Sequence, residues 1–186
     1  MGRWEPDSRG RLERAALALY VERGFDQTTV ADIAERAGLT ERTFFRHFAD
    51  KREVLFRGDE LARTIATALE SVPESVPPLD AAATALESTS DFFAERRPYS
   101  KQRQTVIVAN SALQERELIK LASMAATIAD ALRRRGVAEP AASLSAEAGV
   151  AVFKVAFEHW LDDPANRDLA VHIRETLAEL RSVAGG

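Results

Sequence analysis

Between Thr29 and Lys51 the chain reads TVADIAERAGLTERTFFRHFADK, and its spacing of caps, small residues and aromatics leaves little choice of fold. Thr29 can cap a helix whose inner face is Val30, Ile33, Ala34 and Ala37. Gly38 ends that helix and makes a tight turn, and Thr40 caps a short second helix from about Glu41 to Phe48. Ala34 and Gly38 are small where two steeply crossed helices must approach. Upstream, Leu12, Ala15, Ala16 and Leu19 recur at i, i+3, i+4 and i+7, giving a helix from about Ser8 to Arg23 that Gly24 stops. The three helices would share an apolar core of Leu12, Leu19, Phe25, Val30, Ile33, Ala34, Leu39, Phe44 and Phe48.

Helical periodicity continues to the end of the chain, with no sustained alternation of the kind a strand needs. Asp50 and Glu53 have the spacing of a capping box and open a fourth helix over 51–71, which a loop between Pro73 and Pro78 ends. Further helices are expected at about 80–96, 100–110, 114–135, 140–160 and 167–183, bounded by Pro98, Gly136, Pro140 and Pro164. The expectation is an all-α chain of about nine helices. Residues 1–57 form a three-helix helix-turn-helix domain, 51–71 a connecting helix, and 58–186 a larger helical domain.

Composition narrows the class. The chain has 186 residues, 46% of them hydrophobic, which is enough for a packed core. It has no cysteine, which excludes a disulfide scaffold and a thiolate metal site. No apolar run approaches the length of a membrane span and MGRWEPDSRGR is not a signal peptide, so a cytoplasmic protein that does not enter a membrane is expected. The net charge of −4 hides an asymmetry: residues 1–57 carry 11 Lys and Arg against 10 Asp and Glu, whereas the remainder carries 14 against 19. That excess of one positive charge would not by itself suggest a nucleic acid; the motif does.

With Phe44 and Phe48 turned inward, the short helix from Glu41 leaves Glu41, Arg42, Thr43, Phe45, Arg46 and His47 at least partly outward. Arg42 can pair bidentately with guanine O6 and N7, and Thr43 can offer a hydroxyl to phosphate or a methyl to thymine. His47 and Lys51 sit where phosphates should pass, and Arg3, Arg9 and Arg11 could form an arm along the DNA. The bland alternative is a solvated polar face on a small bundle, but caps, glycine turn and aromatic placement all agree with a groove-reading helix.

The stretch from about Arg9 to Arg57 resembles the DNA-binding domain of the tetracycline-repressor (TetR) family of transcriptional regulators. The resemblance is carried by Gly24-Phe25, Thr28-Thr29-Val30, Ile33-Ala34, Ala37-Gly38-Leu39, Thr43-Phe44-Phe45-Arg46-His47-Phe48 and Lys51. It implies that Thr29, Thr40, Glu41, Arg42, Thr43, Phe45, Arg46, His47 and Lys51 face a palindromic operator in double-stranded DNA. One position departs from the pattern. The family usually has tyrosine where Phe45 stands, with its hydroxyl on a phosphate. A Phe-Phe pair here is similar to a branch whose members respond to acyl-CoA-like ligands.

For the rest of the chain the resemblance implies a helical domain that dimerises through its last two helices and encloses a small-molecule effector. The sequence allows this: Leu169, Ile173, Leu177 and Leu180 stripe the last helix, and Gly149, Val152, Phe153, Ala156 and Trp160 the one before. Candidate pocket residues are Phe92, Phe93, Tyr99, Ile107, Asn110, Met124, Phe157 and Trp160; each is equally at home in an ordinary core. An enzyme is not expected, since there is no phosphate loop, nucleophile elbow or HExxH. No cofactor or metal is expected either, for the three histidines lack a ligand set. The expected function is that of a ligand-released repressor; the alternative is a regulator, activator or repressor, without a small-molecule effector.

Overall fold

The computed structural model describes residues 7–56 and 58–185. The regular structure of the described residues is all helical: α1 (Ser8–Arg23), α2 (Val30–Arg36), α3 (Glu41–His47), a 3-10 turn (Glu53–Leu55), α4 (Gly58–Ser71), α5 (Pro78–Glu87), α6 (Ser90–Ala94), α7 (Arg97–Val108), α8 (Ser111–Arg134), α9 (Ala141–Asp162) and α10 (Leu169–Ala184). The nine expected segments are all present as helical structure, with the fourth divided into the 3-10 turn and α4 and the fifth into α5 and α6. None of the described helices is long and apolar enough to cross a membrane.

Two expected helices are interrupted, each for a local reason. At 51–71, the Asp50 carboxylate does accept the backbone N–H of Arg52 at 2.7 Å, as a cap should. Only a 3-10 turn follows, and Phe56 is extended before α4 opens at Gly58. Val54, Leu55 and Phe56 are consecutive and all buried. On an α-helix three successive side chains point about 100° apart, so one buried face cannot take all three. At 80–96, the hydroxyls of Ser88 and Thr89 donate back to the carbonyls of Ala85 and Leu86 at 2.6 and 2.7 Å, which closes α5. Pro98 opens α7 rather than ending the helix before it, because its missing N–H costs nothing in a first turn.

The described residues divide into two compact units: those up to Phe56 with Lys101–Glu117, and Gly58–Ser100 with the chain from Leu118 onward. In the first, Leu12, Ala16, Ile33 and Phe44 are essentially solvent-free, while Val30 and Leu39, expected inside, are only half-buried. Arg103 of α7 belongs here: its Nε donates to the Leu55 carbonyl at 2.7 Å and its guanidinium lies 4.8 Å from the centre of the Phe56 ring.

The second unit packs α5 against α4, α9 and α10. Alanines at 81, 82, 83 and 85 keep α5 thin, and a Cβ placed on Gly149 would sit 3.3 Å from that of Ala82, so α9 can lie close. Arg135 closes the end of α4 by donating to the carbonyls of Leu69, Val72 and Pro73. This packing corrects the expected dimer stripes. Leu169, Ile173, Leu177, Gly149, Val152, Phe153, Ala156 and Trp160 are buried within the chain's own core, with Leu180 packed at its edge. These faces of α9 and α10 are covered by each other and by α5, which has little apolar bulk of its own.

Candidate nucleic-acid interface

The first unit holds α3 by several independent ties. Thr29 and Asp32 form a reciprocal capping box at the start of α2. Asp32 also pairs with Arg23 at 2.7 Å, and hydrogen bonds from Thr29 and then Arg23 hold its carboxyl well down, at about 2. Arg36 clasps Glu22 with two bonds, 2.9 and 2.8 Å, tying α2 to α1. Gly38 takes φ +66°, the left-handed conformation that ends α2, and Arg11 donates to the carbonyl of Ala37 beside it. Thr40 caps α3 through the N–H of Thr43 at 3.2 Å.

On this frame the inward aromatics of α3 pack together. Phe44 is 0% and Phe48 4% exposed, with ring centres 5.4 Å apart. Glu41, Arg42, Phe45 and Arg46 are exposed, and Thr43 and His47 are half-buried. Neither Arg42 nor Arg46 has an ion pair among the described residues. Two arginines one turn apart, both unpaired, form a surface suited to phosphates and guanine edges.

Several residues expected at the DNA hold contacts within the bundle. The Lys51 ammonium donates to the carbonyls of Phe25 and Thr28, both at 2.9 Å, and lies 4.3 Å from the centre of the Phe25 ring. Its own carbonyl accepts from the Tyr20 hydroxyl at 2.6 Å. The charge expected to meet phosphate thus ties the α1–α2 loop to the segment that follows α3. Thr29 and Thr40 each spend their hydroxyls on caps. Arg9 pairs with Glu13 and lies over Phe48, so Arg9 and Arg11 are fastened to the bundle rather than free as an arm; Arg3 lies outside the described residues. His47 accepts or donates at Nε2 to the Ser8 hydroxyl at 2.8 Å. Partial burial, and then the charges of Arg46 and Arg9, lower its pKa below the ordinary value. No periodicity in the sequence marks Ser8, Tyr20 or Glu22, which act across sequence distances of 14 to 39 residues.

Of the candidate pocket residues, Phe93, Phe157 and Trp160 meet in one aromatic cluster of the second unit, with Phe153 beside them. Phe93 lies 5.1 Å from Phe157 and 6.1 Å from Trp160, and Phe157 5.4 Å from Trp160. Phe92 packs edge-on to Phe93 and beneath the Arg96 guanidinium, Tyr99 is half-buried, and Met124 belongs to the main core. Ile107 and Asn110 fall in the first unit, where the Asn110 carboxamide caps α8 by accepting from Ala112 and Leu113. Ser90, which the sequence did not single out, is 6% exposed, and its hydroxyl has no hydrogen-bond partner among the described residues. Its position at the start of α6 places it two residues before Phe92.

Residues 13–57 match the family model described as bacterial regulatory proteins, tetR family, and residues 76–185 match that of the MftR C-terminal domain. The putative mycofactocin biosynthesis transcriptional regulator MftR of Mycobacterium tuberculosis is 28% identical, over 100% of this chain and 93% of that protein. The transcriptional activator FasR of Mycolicibacterium smegmatis is 30% identical, over 89% of this chain and 78% of its own. Other bacterial regulators match over 55 to 75 residues only, between 26% and 34% of their own length. Among solved structures, the FadR repressor of Thermus thermophilus in complex with lauroyl-CoA aligns with a TM-score of 0.51 at 22% identity, covering 91% of each chain.

Proposed function

The chain belongs to the TetR family of bacterial regulators and is a DNA-binding transcriptional regulator rather than an enzyme, and from that premise we propose a dimeric repressor, released from a palindromic operator by an apolar or amphipathic small molecule. The observation that carries the DNA half is α3: a capped, seven-residue helix, anchored by Phe44, that presents Arg42, Phe45 and Arg46 to solvent. Two such helices related by a two-fold axis would read half-sites roughly 34–36 Å apart.

The aromatic cluster of Phe93, Phe153, Phe157 and Trp160, with the unpartnered Ser90 hydroxyl on the same short α6 as Phe93, supports the effector half. An apolar group would pack on the rings and a polar one would answer Ser90. The lauroyl-CoA bound to the structural neighbour is of that amphipathic kind. For the dimer, the outward face of α9 replaces the buried stripes. Leu144 (64% exposed), half-buried Ala148, Ala151 and Val155 (41%) follow at i, i+4, i+7 and i+11, an apolar strip with two small residues between two large ones.

In vitro selection from a random duplex library tests this reading. A palindrome should emerge, and the selected duplex then serves as a probe for release by acyl-CoA esters. Non-palindromic enrichment would defeat the dimer, and unaltered DNA affinity across such ligands would defeat the proposed effector class. A second reading, activation, is favoured by the likeness to FasR, named an activator. In vitro transcription from a promoter carrying the selected site separates the two by the sign of the response.

A further inference from the structure

Phe45 stands out among the outward residues of α3. It is 55% exposed, while the neighbouring phenyl groups of Phe44 and Phe48 are sealed in the core. It is not loose: its ring meets that of Phe44 edge to face, 5.5 Å between centres at 83°. On the helix it shares a face with Arg42, three residues before, and adjoins Arg46; both are exposed.

A phenyl ring has no hydrogen bond to give to a phosphate oxygen, and its negative face is a poor neighbour for an anion. The floor of the major groove offers one apolar group, the C5-methyl of thymine, and Phe is among the side chains that can meet it. From the exposed, fixed ring between two arginines we infer that Phe45 is a base-reading residue that selects thymine by its methyl group. This rests on the reading of α3 as the helix that enters the groove. Three residues of helix rise about 4.5 Å, against roughly 3.4 Å per base step, so the thymine lies one or two steps from the guanine that Arg42 reads.

The test uses the full chain and its selected duplex, with each thymine of a half-site replaced singly by uracil, which removes only the methyl. One replacement should weaken wild-type binding about fourfold, the worth of roughly one buried methyl group. The same replacement should be silent for Phe45→Ala, which folds because the ring is exposed. Phe45→Ala should leave the slope of log affinity against log salt unchanged, since no phosphate contact is lost. If uracil is tolerated everywhere by the wild type while Phe45→Ala still binds weakly, the ring packs on the sugar backbone and the inference is wrong. A uracil penalty equal in both proteins also overturns it. If instead Arg42→Ala leaves every base preference intact, the fault lies with α3 as the groove-entering helix, not with the thymine contact alone.

Discussion

At the scale of single residues, charge type proved a weaker guide than what each charge already touches. Lys51 is the clearest case, since its ammonium serves two loop carbonyls at 2.9 Å and so leans out to DNA only by giving up both bonds. Lys51→Met keeps the stem and removes the donors. Urea unfolding should show a loss of about 1–3 kcal/mol, from the charge-assisted bonds removed. The salt slope of DNA binding should not change; a flatter slope with intact stability would restore Lys51 to the phosphates. His47 gives a pH prediction. Partial burial, with Arg46 and Arg9, lowers its pKa from the ordinary value of about 6.5, so the free protein holds it neutral at pH 7. Because the folded pKa is the lower one, protonation costs fold stability as pH drops below 6.5. A nearby phosphate would favour the charged form, so binding takes up a proton and affinity rises as pH falls from 7.5 towards 6. An NMR titration of the His47 ring with and without duplex checks this; an unchanged midpoint would place no phosphate near it.

Elements were legible where local chemistry decides them. The start of α2 follows from Thr29 and the start of α3 from Thr40, because a side-chain oxygen beside exposed N–H groups needs no distant partner. Thr29→Ala should destabilise the first unit by about 1 kcal/mol in thermal or denaturant melts. The Asp32 half of the same box titrates: its carboxyl sits at about 2 in the folded chain, below the unfolded value near 4. Its contribution is therefore complete above pH 4 and fades as pH falls from 4 towards 2. Asp32→Asn should remove that part of the acid sensitivity, and an acid-unfolding curve identical to wild type would contradict the assignment. Elements were illegible where a cap signal met a burial conflict. Asp50 and Glu53 have the right spacing, yet the burial of Val54, Leu55 and Phe56 in succession overrides it.

At the scale of the whole molecule, the last two helices show how an apolar stripe can mislead. A stripe states that a face is covered and not by what. Leu169, Ile173 and Leu177 are covered by the chain itself, and the outward strip of Leu144, Ala148, Ala151 and Val155 remains. On the proposed dimer, Val155→Asp should shift the protein to monomer in sedimentation or light scattering while its helicity persists, and operator affinity should fall with it. A dimer that survives Val155→Asp and Leu144→Asp together would locate the interface elsewhere.

The sequence by itself determined the helical class, the helix-turn-helix and the family resemblance, because periodicity, caps and glycine turns act within a few residues along the chain. It also named the inward pair Phe44 and Phe48, since helical spacing sets faces. Only the tertiary structure decided which polar groups remain free. Arg42 and Arg46 have no ion pair among the described residues, whereas Lys51, Arg9 and Arg11 are engaged by Phe25, Thr28, Glu13 and Ala37. Most of those partners lie more than twenty residues away, and a long flexible side chain takes whichever carbonyl or carboxylate the packing brings near it.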